Sequence, residues 1–255
     1  MPATLNELTA YLSTCLRPDS FQDYCPNGLQ VEGREEVRRL VSGVTACQAL
    51  IEKAVAWQAD AILVHHGYFW RGEAPQVVGM KRRRLAALLA SDVSLLAYHL
   101  PLDAHPEWGN NARWGVLMGV ALEAHCPLQP DSPASVGNVG ELPVAISAGA
   151  VLDRIARVTG REALHIGDPD ARVQRIAWCT GAAQDYIGAA VAAGADMFVT
   201  GEASEQTTHV AREEGIHFVA AGHHATERYG VLALGEHLSS RFGIEHRFID
   251  IDNPV

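Results

Sequence analysis

The sequence predicts an α/β protein built from two lobes, and two observations carry this prediction. Short apolar strands alternate with helical segments, which is the pattern that parallel sheets produce. A segment of the first half also recurs in the second half, since residues 37–67 align without a gap on residues 173–203 and 10 of the 31 positions are identical. Because duplication explains such a match, we predict two pseudo-symmetric lobes.

The first half is predicted to start with a helix. Residues 4–7 have the form of a capping box, and the apolar positions after them suit a helix that ends before Pro18. An Asn27-Gly28 turn signal then precedes an extended stretch to residue 31. The periodicity next predicts strand, helix and strand at 40–44, 48–58 and 61–64, then a helix at 81–90 and a strand at 93–98.

The second half repeats this plan. Strand, helix, strand and strand are predicted at 176–180, 183–193, 197–200 and 217–220, followed by a helix at about 226–241 and a strand at 245–251. Pro127, Pro130 and Pro133 interrupt the pattern between the halves. The predicted domains are therefore a first lobe at 1–126, a proline-rich linker at 127–135 and a second lobe at 136–255, whose C-terminal helix and strand can pack back on the first lobe.

Composition excludes several classes of protein. The chain has 255 residues, of which 48% are hydrophobic, so it can bury a full core. A net charge of -10 argues against nucleic-acid binding through a basic surface. Five scattered cysteines without a C-x-x-C pair indicate reduced thiols. Since no apolar run approaches the roughly 18 residues of a membrane span and no signal peptide is evident, we expect a soluble cytoplasmic protein.

Histidines and carboxylates mark the ends of the predicted strands. Functional groups collect at the carboxyl ends of strands in open α/β sheets, and the residues found there are His65, His66, His99, Asp103, Glu202, His223 and Glu227. Asp103 and Glu227 each follow a histidine by four residues, which is a spacing that shares one helix face. Imidazole and carboxylate without thiolate suit Zn, Mn or Fe. We predict a site for two metal ions between the lobes and hydrolysis as the chemistry.

Each candidate also has a purely structural interpretation, because a histidine at a strand end more often forms hydrogen bonds than binds a metal. We assign that role to the remaining histidines considered: His125, His165, His209, His217, His237 and His246. Neighbouring side chains in a strand point to opposite faces, so His65 and His66 bind together only if the pleat breaks. His99 has a second interpretation, in which it orients Asp103 or transfers protons.

Two further segments leave alternatives open. The first lobe carries 12 extra residues between its ligand-bearing strands, near 68–78, and they begin with Tyr68-Phe69-Trp70-Arg71. These aromatic rings either cover the site or pack on the sheet. The basic run 81–84 is either a solvated helix face or a grip for phosphates.

Five motifs together resemble one family over nearly the whole chain. They are Pro26-Asn27-Gly28-Leu29-Gln30-Val31, Val64-His65-His66-Gly67, His99-Leu100-Pro101-Leu102-Asp103, Thr200-Gly201-Glu202 and Gly222-His223-His224-Ala225-Thr226-Glu227. The sequence is similar to the GTP cyclohydrolase 1 type 2 family, also described as Nif-three-like dinuclear metal centre hexameric proteins. The resemblance implies two divalent metal ions per subunit, of Zn, Fe or Mn, bound by His65, His66, Asp103, His223 and Glu227. His99 and Glu202 would lie close by as candidate proton-transfer groups.

The same resemblance implies two intertwined α/β lobes in a toroidal homohexamer whose metal sites face an internal cavity. It implies hydrolytic opening of the guanine ring of GTP to formate and 7,8-dihydroneopterin triphosphate. The expected partners are copies of the chain and a nucleotide or other small molecule, with no membrane. Two alternatives stay open: a non-enzymatic metal-binding ring that acts as an adaptor, a chaperone or in metal handling, and a two-metal phosphodiesterase.

Overall fold

A computed structural model describes residues 3–120, 127–128 and 135–255. The contacts between residues divide the chain into two compact units. The first unit comprises the described residues up to Leu102 and Gly230–Asp252, and the second comprises those of Asp103–Tyr229 and Asn253–Val255.

The first unit is an α/β layer. Its elements up to the division are β1 (Ala3–Thr4), α1 (Leu5–Leu16), β2 (Gly28–Val31), β3 (Glu36–Val37), β4 (Arg39–Thr45), α2 (Gln48–Ala56), β5 (Ala61–His66), α3 (Gly79–Ala90) and β6 (Ser94–Ala97). The short helix α4 (Leu100–Asp103) spans the division.

The second unit is also an α/β layer. Its elements are α5 (Asn110–Met118), β7 (Asn138–Ser147), α6 (Ala148–Thr159), β8 (Leu164–Ile166), β9 (Arg172–Trp178), α7 (Ile187–Ala192), β10 (Met197–Thr200), α8 (Glu205–Glu214), β11 (His217–Ala220) and α9 (His223–Thr226). From Gly230 onward, α10 (Arg228–Phe242) returns the chain to the first unit, where it ends with β12 (Glu245–Phe248).

The main sheet of the first unit has the order β12-β4-β5-β6-β2. The first four strands are parallel neighbours and β2 is antiparallel at the edge. The central strand β5 is buried on both faces, which explains its unbroken apolar run. Leu50 and Ile51 of α2 and Leu88 of α3 pack in the core with Ile62. This arrangement places the carboxyl ends of β5 and β6 side by side.

The sheet of the second unit has the order β7-β9-β10-β11-β8. Its three middle strands are parallel, and β7 and β8 are antiparallel at the two edges. Trp114 of α5, Ile155 of α6 and Trp178 of β9 belong to its buried core. The carboxyl ends of β10 and β11 therefore lie side by side, as those of β5 and β6 do in the first unit.

The two sheets share registers that match the repeated sequence. Leu40 pairs with Ala61 in the first unit, and Ile176 pairs with Met197 in the second, with both residues shifted by 136 positions. One identical residue of the repeat keeps the same hydrogen bonds. The Asp60 carboxylate accepts the amide N–H groups of Arg38 and Arg39 at 2.8 and 2.9 Å.

The counterpart of Asp60 is Asp196. Its carboxylate accepts the N–H groups of Gln174 and Arg175, each at 2.8 Å. Both aspartates thus join the start of one strand to the start of the next. The duplication itself stays a prediction.

The predicted α/β class is confirmed, and so is the capping box, in which Thr4 and Glu7 bond reciprocally at the start of α1. Several elements were missed, among them α5, β7, α6, β8 and α8. Helix α8 has only Thr207 and Ala211 buried, so it lacks the apolar periodicity on which prediction depends. The helix predicted at 183–193 is a 3₁₀ turn at Gln184–Tyr186 followed by α7.

The division into units differs from the predicted lobes 1–126 and 136–255. Residues 103–120 group with the second unit because Trp114 packs in its core and the Trp178 indole donates a hydrogen bond to the Asn111 carbonyl at 2.8 Å. Residues 230–252 group with the first unit, where β12 extends the sheet beside β4. Most of the predicted linker 127–135, together with His125, lies outside the described residues. In the part of the chain that is described, no helix is long and apolar enough to cross a membrane.

Candidate metal centre

Three imidazoles cluster at the carboxyl ends of β5 and β6 in the first unit. His65 and His66 end β5, and His99 follows β6. The ring centroid of His65 lies 4.6 Å from that of His66 and 5.0 Å from that of His99, and the His66 and His99 centroids are 5.7 Å apart. One ring nitrogen from each of the three lies within 4.8 Å of the other two. This spacing suits ligation of a metal ion by nitrogen.

Hydrogen bonds fix the orientation of two of these rings. His65 is fully buried and its Nδ1 donates to the Tyr98 carbonyl at 2.9 Å, so Nε2 carries the lone pair of the neutral ring. His66 Nδ1 lies 3.1 Å from the Thr45 hydroxyl. Joint binding was expected to require a break in the pleat. Strand β5 instead runs through His66, and the two rings still approach each other where the strand ends.

Asp23 is a functional candidate that sequence reasoning missed. Its carboxylate accepts a hydrogen bond from His99 Nδ1 at 2.7 Å and from the Asn27 amide at 2.8 Å. Burial alone would raise the pKa of Asp23, but the hydrogen bond and charge of His99, with the hydrogen bonds of Asn27 and the Tyr24 N–H, lower it to about 2. Asp23 is 76 positions from His99, so only the fold reveals the pair.

The Pro26 to Val31 motif holds the start of the long loop in place. The Gln30 side chain accepts the Tyr68 N–H at 2.7 Å and donates to the carbonyls of Tyr68 and Pro26 at 3.1 and 2.8 Å. A side chain at Gly67 would collide with Gln30, and its Cβ would lie 2.6 Å from that of Ala97. Gly67 is therefore required for the loop to leave β5 beside the histidines.

The aromatic residues of this loop divide between the two expected roles. Tyr68 is buried and its hydroxyl donates to the Ala46 carbonyl at 2.7 Å, so it packs on the sheet. Trp70 instead meets the His99 ring edge-on at 5.1 Å and lies 5.9 Å from His66. Arg71 donates to the Asp23 carbonyl at 2.9 Å and lies over the Tyr24 ring. An indole ring thus borders the histidine cluster, and the Arg71 guanidinium lies against Asp23 and Tyr24.

Two buried carboxylates define the corresponding place in the second unit. Asp103 ends α4 and is 6% exposed, and Glu227 follows α9 and is 2% exposed. The Asp103 carboxylate accepts hydrogen bonds from the Asn110 amide at 2.9 Å and the Thr180 hydroxyl at 3.4 Å. One oxygen of Asp103 lies within 4.8 Å of one of Glu227. Two buried carboxylate oxygens this close together suit joint binding of a cation.

His223 connects the carboxylates of the second unit. Its Nδ1 lies 2.6 Å from Glu202 and its Nε2 lies 3.1 Å from Glu227. Burial alone would lower the pKa of His223, but the hydrogen bonds and charges of Glu227 and Glu202 outweigh it and raise the pKa to about 9. Glu202 thus contacts His223 and helps to raise its pKa. His223 is the residue that we predicted from the sequence to be a metal ligand.

Two glycines let the backbone approach these side chains. Gly181 has φ of +76°, and a Cβ there would collide with Glu227 Oε1. A Cβ at Gly201 would lie 2.6 Å from the Gly181 carbonyl oxygen and 2.9 Å from the His223 nitrogen. The Gly181 N–H donates to the Thr226 hydroxyl at 3.1 Å. Glycine is therefore needed at both positions to place Glu227 and His223.

Two buried cysteines lie near these side chains, and the Cys25 sulfur lies within 4.8 Å of ligand atoms of Asp23 and His99. Burial raises the pKa of Cys25 to about 12, assisted by the charge of Asp23. Burial also raises the pKa of Cys179, assisted by Asp103 and Glu227. Both raised pKa values favour the protonated thiol when no metal ion is bound, and the nitrogen and oxygen atoms of the proposed ligands suit Zn, Fe or Mn.

The basic run and the other histidines have local partners. Lys81 lies 3.4 Å from Glu73 and over the Phe69 ring, which favours the structural role of that run. The histidines taken as structural form hydrogen bonds, in the pairs His165–His217, His209–Glu205, His237–Tyr11 and His246–Ser42.

The sequence matches the family model described as Duf34/NIF3 (NGG1p interacting factor 3) over residues 3–254. This chain belongs to the Duf34/NIF3 family. Its similar relatives include the GTP cyclohydrolase 1 type 2 homolog of Pseudomonas aeruginosa, 56% identical over 255 residues and all of both chains. That of Escherichia coli (strain K12) is 50% identical over 251 residues, 98% of each chain.

Solved structures agree with this assignment to the Duf34/NIF3 family. A structure described as protein ybgI, of unknown function, is 48% identical, has a TM-score of 0.93, and the match covers 99% of this chain and 100% of that one. A protein from Thermus thermophilus is 36% identical with a TM-score of 0.89 over 99% of this chain and 100% of that one. The α/β fold of the chain is thus that of its family.

Proposed function

We propose that His65, His66, Asp103, His223 and Glu227 together bind two divalent metal ions and that the protein is a metal-dependent hydrolase. One observation carries the proposal: in each unit, metal-type ligands gather at the carboxyl ends of parallel strands, as imidazoles in the first and mainly as buried carboxylates in the second. When bound, a metal pair polarises a substrate and lowers the pKa of water toward neutrality.

GTP is the candidate substrate, and formate and 7,8-dihydroneopterin triphosphate are the candidate products. Relatives over the full chain carry the name GTP cyclohydrolase 1 type 2 homolog, which supports this choice. The Trp70 ring and the Arg71 guanidinium beside the histidines suit a purine and a phosphate group. His99 and Glu202 are the groups proposed to move protons.

The resemblance to the family also supports a cytoplasmic homohexamer. Size-exclusion chromatography with light scattering tests this assembly, because six chains of 27.5 kDa give a mass that monomers and dimers cannot approach. A single peak at the monomer or dimer mass would contradict the hexamer and would leave the metal proposal to its own test.

The metal site is tested by elemental analysis of Asp103→Asn. Asparagine keeps an oxygen for the Asn110 and Thr180 hydrogen bonds but removes the charge. The matched control is Asp153→Asn, since Asp153 is exposed on α6 of the same unit. We expect two ions per chain in the wild type and the control and fewer in Asp103→Asn. Equal metal content in all three proteins would contradict the ligand assignment.

The reaction is tested on metal-replete protein with GTP and a panel of other nucleotides. Formate release that Asp103→Asn lacks would support the cyclohydrolase. Phosphate release without formate would contradict the cyclohydrolase reaction and would indicate hydrolysis of a phosphodiester or phosphoester instead. If no nucleotide is turned over and metal removal only lowers the melting temperature, the metal serves to stabilise a non-enzymatic ring.

A further inference from the structure

Asp23 is the most heavily hydrogen-bonded carboxylate beside the histidine cluster. Its side chain is 4% exposed. It accepts hydrogen bonds from the Tyr24 N–H at 2.6 Å, His99 Nδ1 at 2.7 Å, the Asn27 amide at 2.8 Å and the Leu100 N–H at 3.0 Å. The Asn27 oxygen in turn accepts the His99 N–H at 2.7 Å. Asp23 and Asn27 therefore hold both the backbone and the ring of His99.

This network selects one tautomer of His99. An ionised carboxylate only accepts hydrogen bonds, so the Nδ1 atom of His99 must carry the hydrogen that points to Asp23. In the neutral ring the lone pair is then on Nε2. The ring lies 5.0 Å from His65 and 5.7 Å from His66 by centroid, and Trp70 closes one side at 5.1 Å.

We infer that Asp23 is the positioning residue of His99, holding it in the tautomer that offers Nε2 as a proton acceptor next to the histidine cluster. The inference deepens the proposed hydrolase function and rests on it for its catalytic meaning. As water adds to the substrate carbon, its proton passes to His99 Nε2. The same proton then passes to the leaving nitrogen as the carbon–nitrogen bond breaks, so His99 is restored. The Asp23 carboxylate stabilises the imidazolium formed between these transfers.

Asp23 also binds two backbone amides, so the test must separate positioning from stability. The variant is Asp23→Asn, in which an amide group replaces one acceptor oxygen with a donor. The matched control is Asp60→Asn, because Asp60 is a buried carboxylate of the same unit that also accepts two backbone N–H groups. Both variants weaken a backbone anchor, but only Asp23→Asn changes the partner of His99.

The first measurement needs no turnover. In ¹⁵N-histidine-labelled, metal-free protein, the ring nitrogen shifts report the tautomer, and comparison with His99→Gln assigns the signal. We expect wild-type and Asp60→Asn proteins to show His99 protonated on Nδ1, and Asp23→Asn to show a mixed or reversed tautomer. Wild-type His99 protonated on Nε2 alone would overturn the inference even if Asp23→Asn does not fold.

The second measurement is steady-state kinetics on the metal-replete proteins. A general base contributes roughly 10²–10⁴-fold to rate, so we expect kcat of Asp23→Asn to fall by about 10²-fold or more with little change in KM or bound metal. An equal loss in Asp60→Asn, or an unchanged His99 tautomer in Asp23→Asn, would overturn the inference. If the wild type turns over no substrate, the proposed function fails, while the tautomer experiment still decides whether Asp23 positions His99.

Discussion

Substituting Gly181 by alanine tests the site without removing any proposed ligand. Gly181 has φ of +76°, and a methyl group there would collide with Glu227 Oε1 and lie 3.4 Å from His223 Nε2. The methyl group would therefore push the Glu227 carboxylate away from its present position. Gly160→Ala is the matched control, because Gly160 also has φ of +76° and a Cβ there would have nothing within 4 Å.

The two variants share one cost and differ in another. Alanine in the left-handed region costs roughly 1–2 kcal/mol, which lowers the melting temperature of a chain of this size by roughly 2–8 °C. We expect that loss in Gly160→Ala. Gly181→Ala also displaces Glu227, whose Oε2 lies 3.1 Å from His223 Nε2, and overpacking a buried site costs about 1–3 kcal/mol. Its total loss should therefore be about 2–5 kcal/mol, the sum of the strain and the overpacking.

Metal affinity gives the decisive difference. Displacing groups around a metal ligand typically costs roughly 10–100-fold in affinity, so we expect Gly181→Ala to bind metal about that much more weakly than Gly160→Ala. Thermal unfolding of metal-free and metal-replete protein gives the stability of each variant. Competition with a chelator gives its metal affinity. Equal metal affinity and equal melting temperatures in the two variants would refute the assignment of Glu227 as a ligand held in place by the turn at Gly181.

Three further predictions test the fold and the site. Asp196→Asn should lower the free energy of unfolding in urea by about 1–3 kcal/mol, since two backbone N–H groups lose a charged acceptor; an effect no larger than that of exposed Asp185→Asn would contradict this. Burial lowers the pKa of His165 and His217. As the pH falls, the unfolded chain therefore takes up protons on these residues before the folded chain does. The stability that the two neutral rings contribute above about pH 6.5 is lost as a result. His165→Phe should therefore lose less stability than the wild type between about pH 7.5 and about pH 5, and an equal loss would contradict the pairing. Chelation should lower the melting temperature of the wild type but not that of Asp103→Asn, and an equal decrease in both would place the metal elsewhere.

Strands were predictable from sequence where burial leaves a continuous apolar run. The predicted span 217–220 coincides with β11, and 197–200 with β10, because both strands are covered on both faces. Elements on the outside were not predictable in this way. Strand β7 contains Pro143 and an exposed Val144, which are features of an edge, and α8 presents charged side chains over most of its surface.

The candidate ligands were predictable for a different reason. Each lies at the end of a strand or in the short helical segment that follows one, and parallel strands bring their carboxyl ends to one edge of the sheet. The residues that orient them were not predictable, because Asp23 meets His99 and Asn110 meets Asp103 only once helices and loops have folded back. A weak signal existed for Asp23, since it lies four residues before Asn27 in a turn-rich segment. That spacing alone does not indicate a partner 76 positions away.

At the strand ends that carry the proposed function, the repeated segments differ in the chemical type of their residues. At the amino ends, Asp60 and Asp196 are identical and form the same amide hydrogen bonds, as expected of positions that preserve the fold. At the carboxyl end of the central strand, His65-His66 in one sheet corresponds to Gly201-Glu202 in the other.

Both sheets keep the same register up to these positions, so strand pairing does not require different residue types there. The proposed ligands are two imidazoles in the first unit, His65 and His66, and Asp103, His223 and Glu227 in the second. A divalent ion held by imidazoles alone keeps its full charge, whereas carboxylates neutralise it. The imidazoles of the first unit and the carboxylates of the second therefore differ in the charge that each would bring to a bound ion.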